Sequence, residues 1–226
     1  GWPTPDPNGE AETFSCYPNR MSLKPPSFKP LFSRALALAP GRLHFAAHSH
    51  HLWPDASHDG QAEAWDQANA HADSKWDEVF GFVIPEAQAH VAQELGLDRG
   101  DRIVFSPNTH DLLVRVFSAF DGKRPVRVLS TDGEFHSFRR QSQRWEEAGR
   151  AEVMRVPLHP FGSFADRFLA EARRGGYDWI VVSQVFFRTG GLFDRLAELA
   201  ELAKPEGPWV LVDGYHGFMA TPTDLK

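Results

Sequence analysis

From about residue 40 onward, the apolar positions switch between two spacings. Gln61–Asp73 carries Ala62, Trp65, Ala68 and Ala72 on one stripe, the three-to-four spacing of a helix. Pro85 opens a second helical stretch that runs to Leu95 and is closed by Gly96. Further helical patterns cover Asp111–Phe120, Phe138–Ala148, Phe164–Arg174 and Leu192–Ala203. Between them lie extended runs at Arg102–Ser106, Val126–Ser130, Val153–Val156, Trp179–Ser183 and Trp209–Asp213, with a short one at Leu43–Ala47. The runs 179–182 and 209–212 are apolar throughout, as expected of strands covered on both faces. Alternation of this kind predicts an α/β fold, a three-layer α/β/α arrangement with a mainly parallel sheet. Ligands of such sheets sit beyond the carboxyl ends of the strands, so the residues just after each run are the candidates for chemistry.

The 226 residues are 42% hydrophobic and 24% charged, an ordinary globular composition for one large domain or one domain with a small attachment. A net charge of −6 leaves no electrostatic footprint for nucleic acid or an anionic membrane, and favours a small ligand. Cys16 stands alone, so no internal disulfide forms and a reducing, cytoplasmic setting is expected. No apolar run has the length of a membrane span, and no signal peptide opens the chain. The first seven residues hold three prolines and no Met, so residues 1–40 read as a partly disordered leader followed by an N-terminal segment, with Met21 a candidate start. Residues 41–226 read as the large domain, cut off soon after its last strand.

Four strand ends carry groups worth weighing. After 102–106 comes Pro107-Asn108-Thr109-His110-Asp111, where Asn108 or Thr109 can cap a helix. The same turn, with its free N–H groups and helix dipole, is also a cradle for a phosphate. After 126–130 comes Thr131-Asp132-Gly133-Glu134-Phe135-His136-Ser137, in which Phe135 is either a flat cover for a ligand or a rim aromatic. After 179–183 comes Gln184-Val185-Phe186-Phe187-Arg188-Thr189-Gly190-Gly191, either an anion-binding edge or a turn with an exposed Arg. The run 209–212 ends in Asp213-Gly214-Tyr215-His216-Gly217. An acid directly after four apolar strand residues needs a partner, and a protonated ring nitrogen, a helix cap or a metal ion each supplies one. Neither a Walker motif nor GxGxxG is present.

Together these segments resemble the class V aminotransferase family, the fold type I enzymes that use pyridoxal 5'-phosphate (PLP), and within it the kynureninases. Asp213-Gly214-Tyr215-His216-Gly217 is similar to the family's Asp-x-x-His segment, and Ser183–Gly190 to the kynureninase Val-Asn-Tyr-Arg/Lys-Thr-Gly segment. Glu134-Phe135-His136-Ser137 is similar to Asn-Phe-Pro-Thr, Asn108-Thr109-His110 falls at the phosphate site, and Phe45–His50 falls at the Asn-Ser-Leu-Gly entry loop. The likeness spans roughly residues 41–225, with five weak motifs in the family's order. It implies that Asp213 pairs with the pyridinium nitrogen and that Phe135 stacks on the ring. It also implies that Asn108, Thr109 and His110 hold the phosphate, that His216 lies near the 3′-oxygen or the phosphate, and that Ser183 or Gln184 lies close to the ring. His48, Ser49, His50 and Arg188 fall at substrate-binding positions. A homodimer and a small amino-acid substrate are implied. The lysine that carries the cofactor lies, in the family, beyond the end of this chain, so the resemblance assigns no catalytic residue here and implies a fragment inactive by itself. His48-Ser49-His50-His51 replaces the entry motif, His136 replaces Pro, and Phe186-Phe187 replaces Asn-Tyr, which implies altered substrate recognition.

Other readings remain open. Within the family, hydrolytic C–C cleavage, cysteine desulfuration and transamination all start from the same cofactor chemistry. Arg188-Thr189-Gly190 leans to the kynureninase side, and Cys16 lies outside the matching region. A non-catalytic homologue or binding module is a further alternative. A metal site would draw on His48, His50, His51 and His58, without an HExxH motif or paired Cys to support it.

Overall fold

The structure, a computed structural model, describes residues 27–45 and 50–221. Most of the expected leader, together with His48, Ser49 and residues 222–226, lies outside the described residues. The N-terminal part is helical: α1 (Ser33–Leu38), α2 (Asp55–His71), α3 (Lys75–Glu78) and α4 (Ile84–Glu94). Pro85 sits in the first turn of α4. Gly96, at φ 69°, closes the helix, with Leu97 N–H donating to the Ala92 carbonyl at 2.8 Å, the bond of a Schellman cap.

Beyond it the chain alternates as its apolar spacing predicts: α5 (Thr109–Ser118), β1 (Val126–Thr131), α6 (His136–Glu147), β2 (Ala151–Val156), α7 (Phe164–Arg174), β3 (Trp179–Ser183), α8 (Leu196–Ala200) and β4 (Trp209–Asp213). The strands form one sheet in the order β2-β1-β3-β4, every pair parallel. Alternate residues of β3 feed two cores. Trp179 and Val181 join Leu113, Phe117, Phe138 and Trp145 from α5 and α6, where Phe117 stacks on Trp145 with ring centroids 3.9 Å apart. Ile180 and Val182 join Phe164, Phe168 and Leu169 of α7 and Leu199 of α8 on the opposite face. This is the expected three-layer α/β/α arrangement with a parallel sheet.

Four expectations need correction. Arg102–Ser106 is not a strand: Gly100–Arg102 is a 3₁₀ turn, and the residues after it are extended without a ladder partner among the described residues. The Ile103 carbonyl is taken instead by Gln88 Nε2 at 2.7 Å. The helix expected over Leu192–Ala203 is confined to Leu196–Ala200, because Phe193 N–H donates to the Gln184 carbonyl and Leu192 bridges Val185, which holds 192–193 extended. Strand β4 is not covered on both faces among the described residues: it is the edge of the sheet, with Trp209 48% and Val212 38% exposed. Leu43–Phe45 form no strand, and Ala46 and Ala47 lie outside the described residues.

Candidate active site

The parallel register brings the carboxyl ends of the strands to one side of the molecule. Ser183 at the end of β3 faces Asp213 at the end of β4 in the ladder. Over this edge opens a cleft of about 670 Å³, lined by the segments Ser106–His110, Phe135–Ser137 and Asp213–His216 together with Leu112 and Phe187. Of the sequence-derived candidates, Asn108, Thr109, His110, Phe135, Asp213 and His216 meet in this one cleft, although they come from three separate segments.

Each wall has a local cause. Asn108, in an extended conformation, caps α5 by accepting the Asp111 N–H on Oδ1 at 2.9 Å. That leaves the N–H groups of Thr109 and His110, in the first helical turn, without acceptors inside the helix. The N-terminus of α6 also opens on the cleft through His136 and Ser137, and its cap residue Phe135 offers no side-chain acceptor. Two positive helix ends therefore border the same space. Phe135 meets the Phe187 ring edge-on at 5.2 Å and the His216 ring at 6.0 Å, and His216 lies 5.3 Å from Phe187. These rings make one aromatic side of the cleft. In the same lining, half-buried Asp213 accepts the Tyr215 N–H on Oδ1 at 3.0 Å, so part of the partner that its position demands is its own turn. Gly217 lets that turn lie close to β3, since a Cβ there would come within 2.2 Å of Gln184 Oε1.

The remaining candidates sit elsewhere. Ser183 is buried behind the cleft and does not line it; its hydroxyl is spent on Glu134. Arg188 is exposed on the turn after Phe187 and is not part of the lining. His50 is exposed and is not part of the lining, and its carbonyl accepts from His44 Nε2 at 2.8 Å. His48 and Ser49 lie outside the described residues. Among the described residues no three His, Cys, Asp or Glu side chains converge as metal ligands; His58 lies beside Asp59, at 3.1 Å.

Two residues of this edge stand outside the sequence-derived site candidates. Ser106 lines the cleft with its hydroxyl buried and without a partner. It closes a run whose apolar spacing predicts a strand, so it reads as the last strand residue and not as part of the turn beyond. Glu134 is 6% exposed, and it accepts Thr131 Oγ1 at 2.7 Å and the Ser183 N–H at 3.2 Å on Oε1, and Ser183 Oγ at 2.6 Å on Oε2. Burial raises its pKa to about 7; the bonds from Ser183 and Thr131 pull it down, and the Asp213 charge adds to the rise.

No family model and no curated protein matches the sequence. Solved structures do. A lysine-to-alanine variant of C-DES with glycine covalently linked to its PLP cofactor superposes with a TM-score of 0.73 at 15% identity, over 88% of this chain and 52% of that one. The cystine C–S lyase C-DES in complex with its product cysteine persulfide gives 0.66 at 15% identity, over 78% and 48%. The cysteine desulfurase CsdA from Escherichia coli gives 0.63 at 21% identity, over 79% and 46%. The chain has the fold of these proteins. It spans about half the length of each.

Proposed function

We propose that the chain is the cofactor-holding part of a PLP-dependent enzyme that acts on an amino acid. The observation that carries this reading is the convergence, over one cleft, of the Asp213 carboxylate, an aromatic wall and the N-terminus of α5. The donor set fits the group. The buried Ser106 hydroxyl lacks a partner, and the free N–H groups of Thr109 and His110 point the same helix end at an anion. Asp213, in the same lining, is the acceptor that a protonated ring nitrogen needs. When bound, PLP supplies an electron sink for charge that develops at the Cα of an amino acid.

In this reading Asp213 keeps the proton on the ring nitrogen. Phe135 and Phe187 exclude water from the ring, and Ser106, Thr109 and His110 orient the phosphate. Of the chemistries open to the family, work on a sulfur amino acid is favoured over a kynureninase-like hydrolysis. The fold neighbours are named for cystine and cysteine, and Phe186-Phe187 lacks the polar groups of the kynureninase segment. A homodimer of the full-length protein belongs to the same proposal.

The test is titration of the chain with PLP, followed by the cofactor's absorbance and by quenching of tryptophan fluorescence. Wild type binds non-covalently. Asp213→Ala binds about tenfold or more weakly, the loss of one charge-assisted hydrogen bond. Equal affinity in the two proteins removes the assignment.

A further inference from the structure

Among the described residues, Glu134 is the only acidic or basic side chain in the buried set. Burying a carboxyl is costly, and a glutamine or an apolar residue would fill the same volume more cheaply. Its placement gives it a task. The turn after β1 carries Glu134 back beneath β3, where Thr131, at the end of β1, and Ser183, at the end of β3, donate to it. Ser183 is in turn the ladder partner of Asp213, so the end of β3 stands between the two carboxyls, and the Asp213 charge is felt at Glu134.

We propose that Glu134 is a positioning residue of the cleft, one that clamps the ends of β1 and β3 and acts through Asp213, so that two carboxyls set the negative charge beneath a bound cationic ring. The proposal rests on the cofactor reading above for the identity of that ring. With Glu134 poised between neutral and charged near neutrality, its ionised form adds a second negative field under Asp213 and strengthens the hold on a protonated ring nitrogen. By linkage, a cation held at Asp213 favours loss of the Glu134 proton. The other titratable groups at this end of the sheet are Asp132, which accepts the Leu158 N–H, His136 at the start of α6, His110 of α5, Tyr215 and His216 after β4, and Arg188 on the exposed turn.

Two pH series on the apo chain and its variants, from about pH 5.5 to 8.5, test it. In Glu134→Gln the amide keeps an acceptor for Thr131 and the Ser183 N–H and offers a donor to Ser183 Oγ, so it imitates the protonated acid at every pH. PLP binding is measured first. Glu134→Gln matches wild type at the acid end and binds about three- to tenfold more weakly above pH 8; the ligand's own titrations cancel in the ratio. The second readout needs no ligand: the side-chain carboxyl carbon resonance of Asp213 shows a step near pH 7 in wild type and none in Glu134→Gln. Ser183→Ala, which removes a donor to Glu134, moves that step to higher pH, whereas a step caused by a neighbouring histidine stays in place. This variant decides the matter if Glu134→Gln does not fold. A missing or immobile step, or a binding ratio that stays flat with pH, overturns the proposal. Loss of the cofactor reading is recognised separately, by Asp213→Ala binding PLP as wild type does; the resonance alone then decides whether the two carboxyls are coupled.

Discussion

At single residues, the cleft is a contest between burial and hydrogen bonding, and Glu134 shows which wins. Three donors favour its charged form, yet desolvation outweighs them and its pKa rises from 4.5 to about 7. The folded chain therefore keeps a proton that the unfolded chain releases between those two values. Stability from this group is fully present below pH 4.5, falls as pH rises to 7 and is flat above, a loss on the order of 3 kcal/mol. Urea unfolding at a series of pH values checks this, and Glu134→Gln flattens the slope. Asp213 was legible in the sequence because an acid behind four apolar strand residues stands out. Glu134 was not. It sits between Gly133 and Phe135, and nothing local tells that the turn brings its carboxyl to the end of β3. The family resemblance alone placed Ser183 near the ring, and its hydroxyl donates to that hidden carboxyl.

Among the elements, those with both a periodic apolar face and a terminal signal were read well. α7 matches its expected bounds, and α5 and α6 differ from theirs by a residue or two at most ends. Arg102–Ser106 and Leu192–Ala203 failed because contacts from outside each run decide them: a glutamine from α4 takes a carbonyl in one, and a bridge to Val185 stretches the other. The cap of α5 links element to site. Asn108→Ala removes the acceptor for the Asp111 N–H and lowers stability by about 1 kcal/mol, seen as a lower urea midpoint with unchanged slope. The same variant frays the first turn of α5, which weakens PLP binding as well. Unchanged stability and unchanged binding together would show that the cap contributes to neither.

On the scale of the whole molecule, alternation of the two periodicities was enough to derive the layers, and the solved C–S lyase and desulfurase structures share that architecture at 15–21% identity. Substrate preference was beyond reach of the sequence, because only short, weak motifs pointed to it, and Arg188, one of the residues they named, lies on an exposed turn outside the cleft lining. No helix among the described residues is long and apolar enough to cross a membrane. Strand β3 is the one strand among the described residues whose every residue is buried, and like β1 it gives alternate side chains to opposite cores. Neither half of the interior can melt alone without unzipping it, so its amides should be the last to trade their hydrogen for deuterium, at the pace of global unfolding. A small molecule gripping the strand tips would then slow that clock for the entire domain, and occupancy of a cleft at one end could be read in the middle of the sheet.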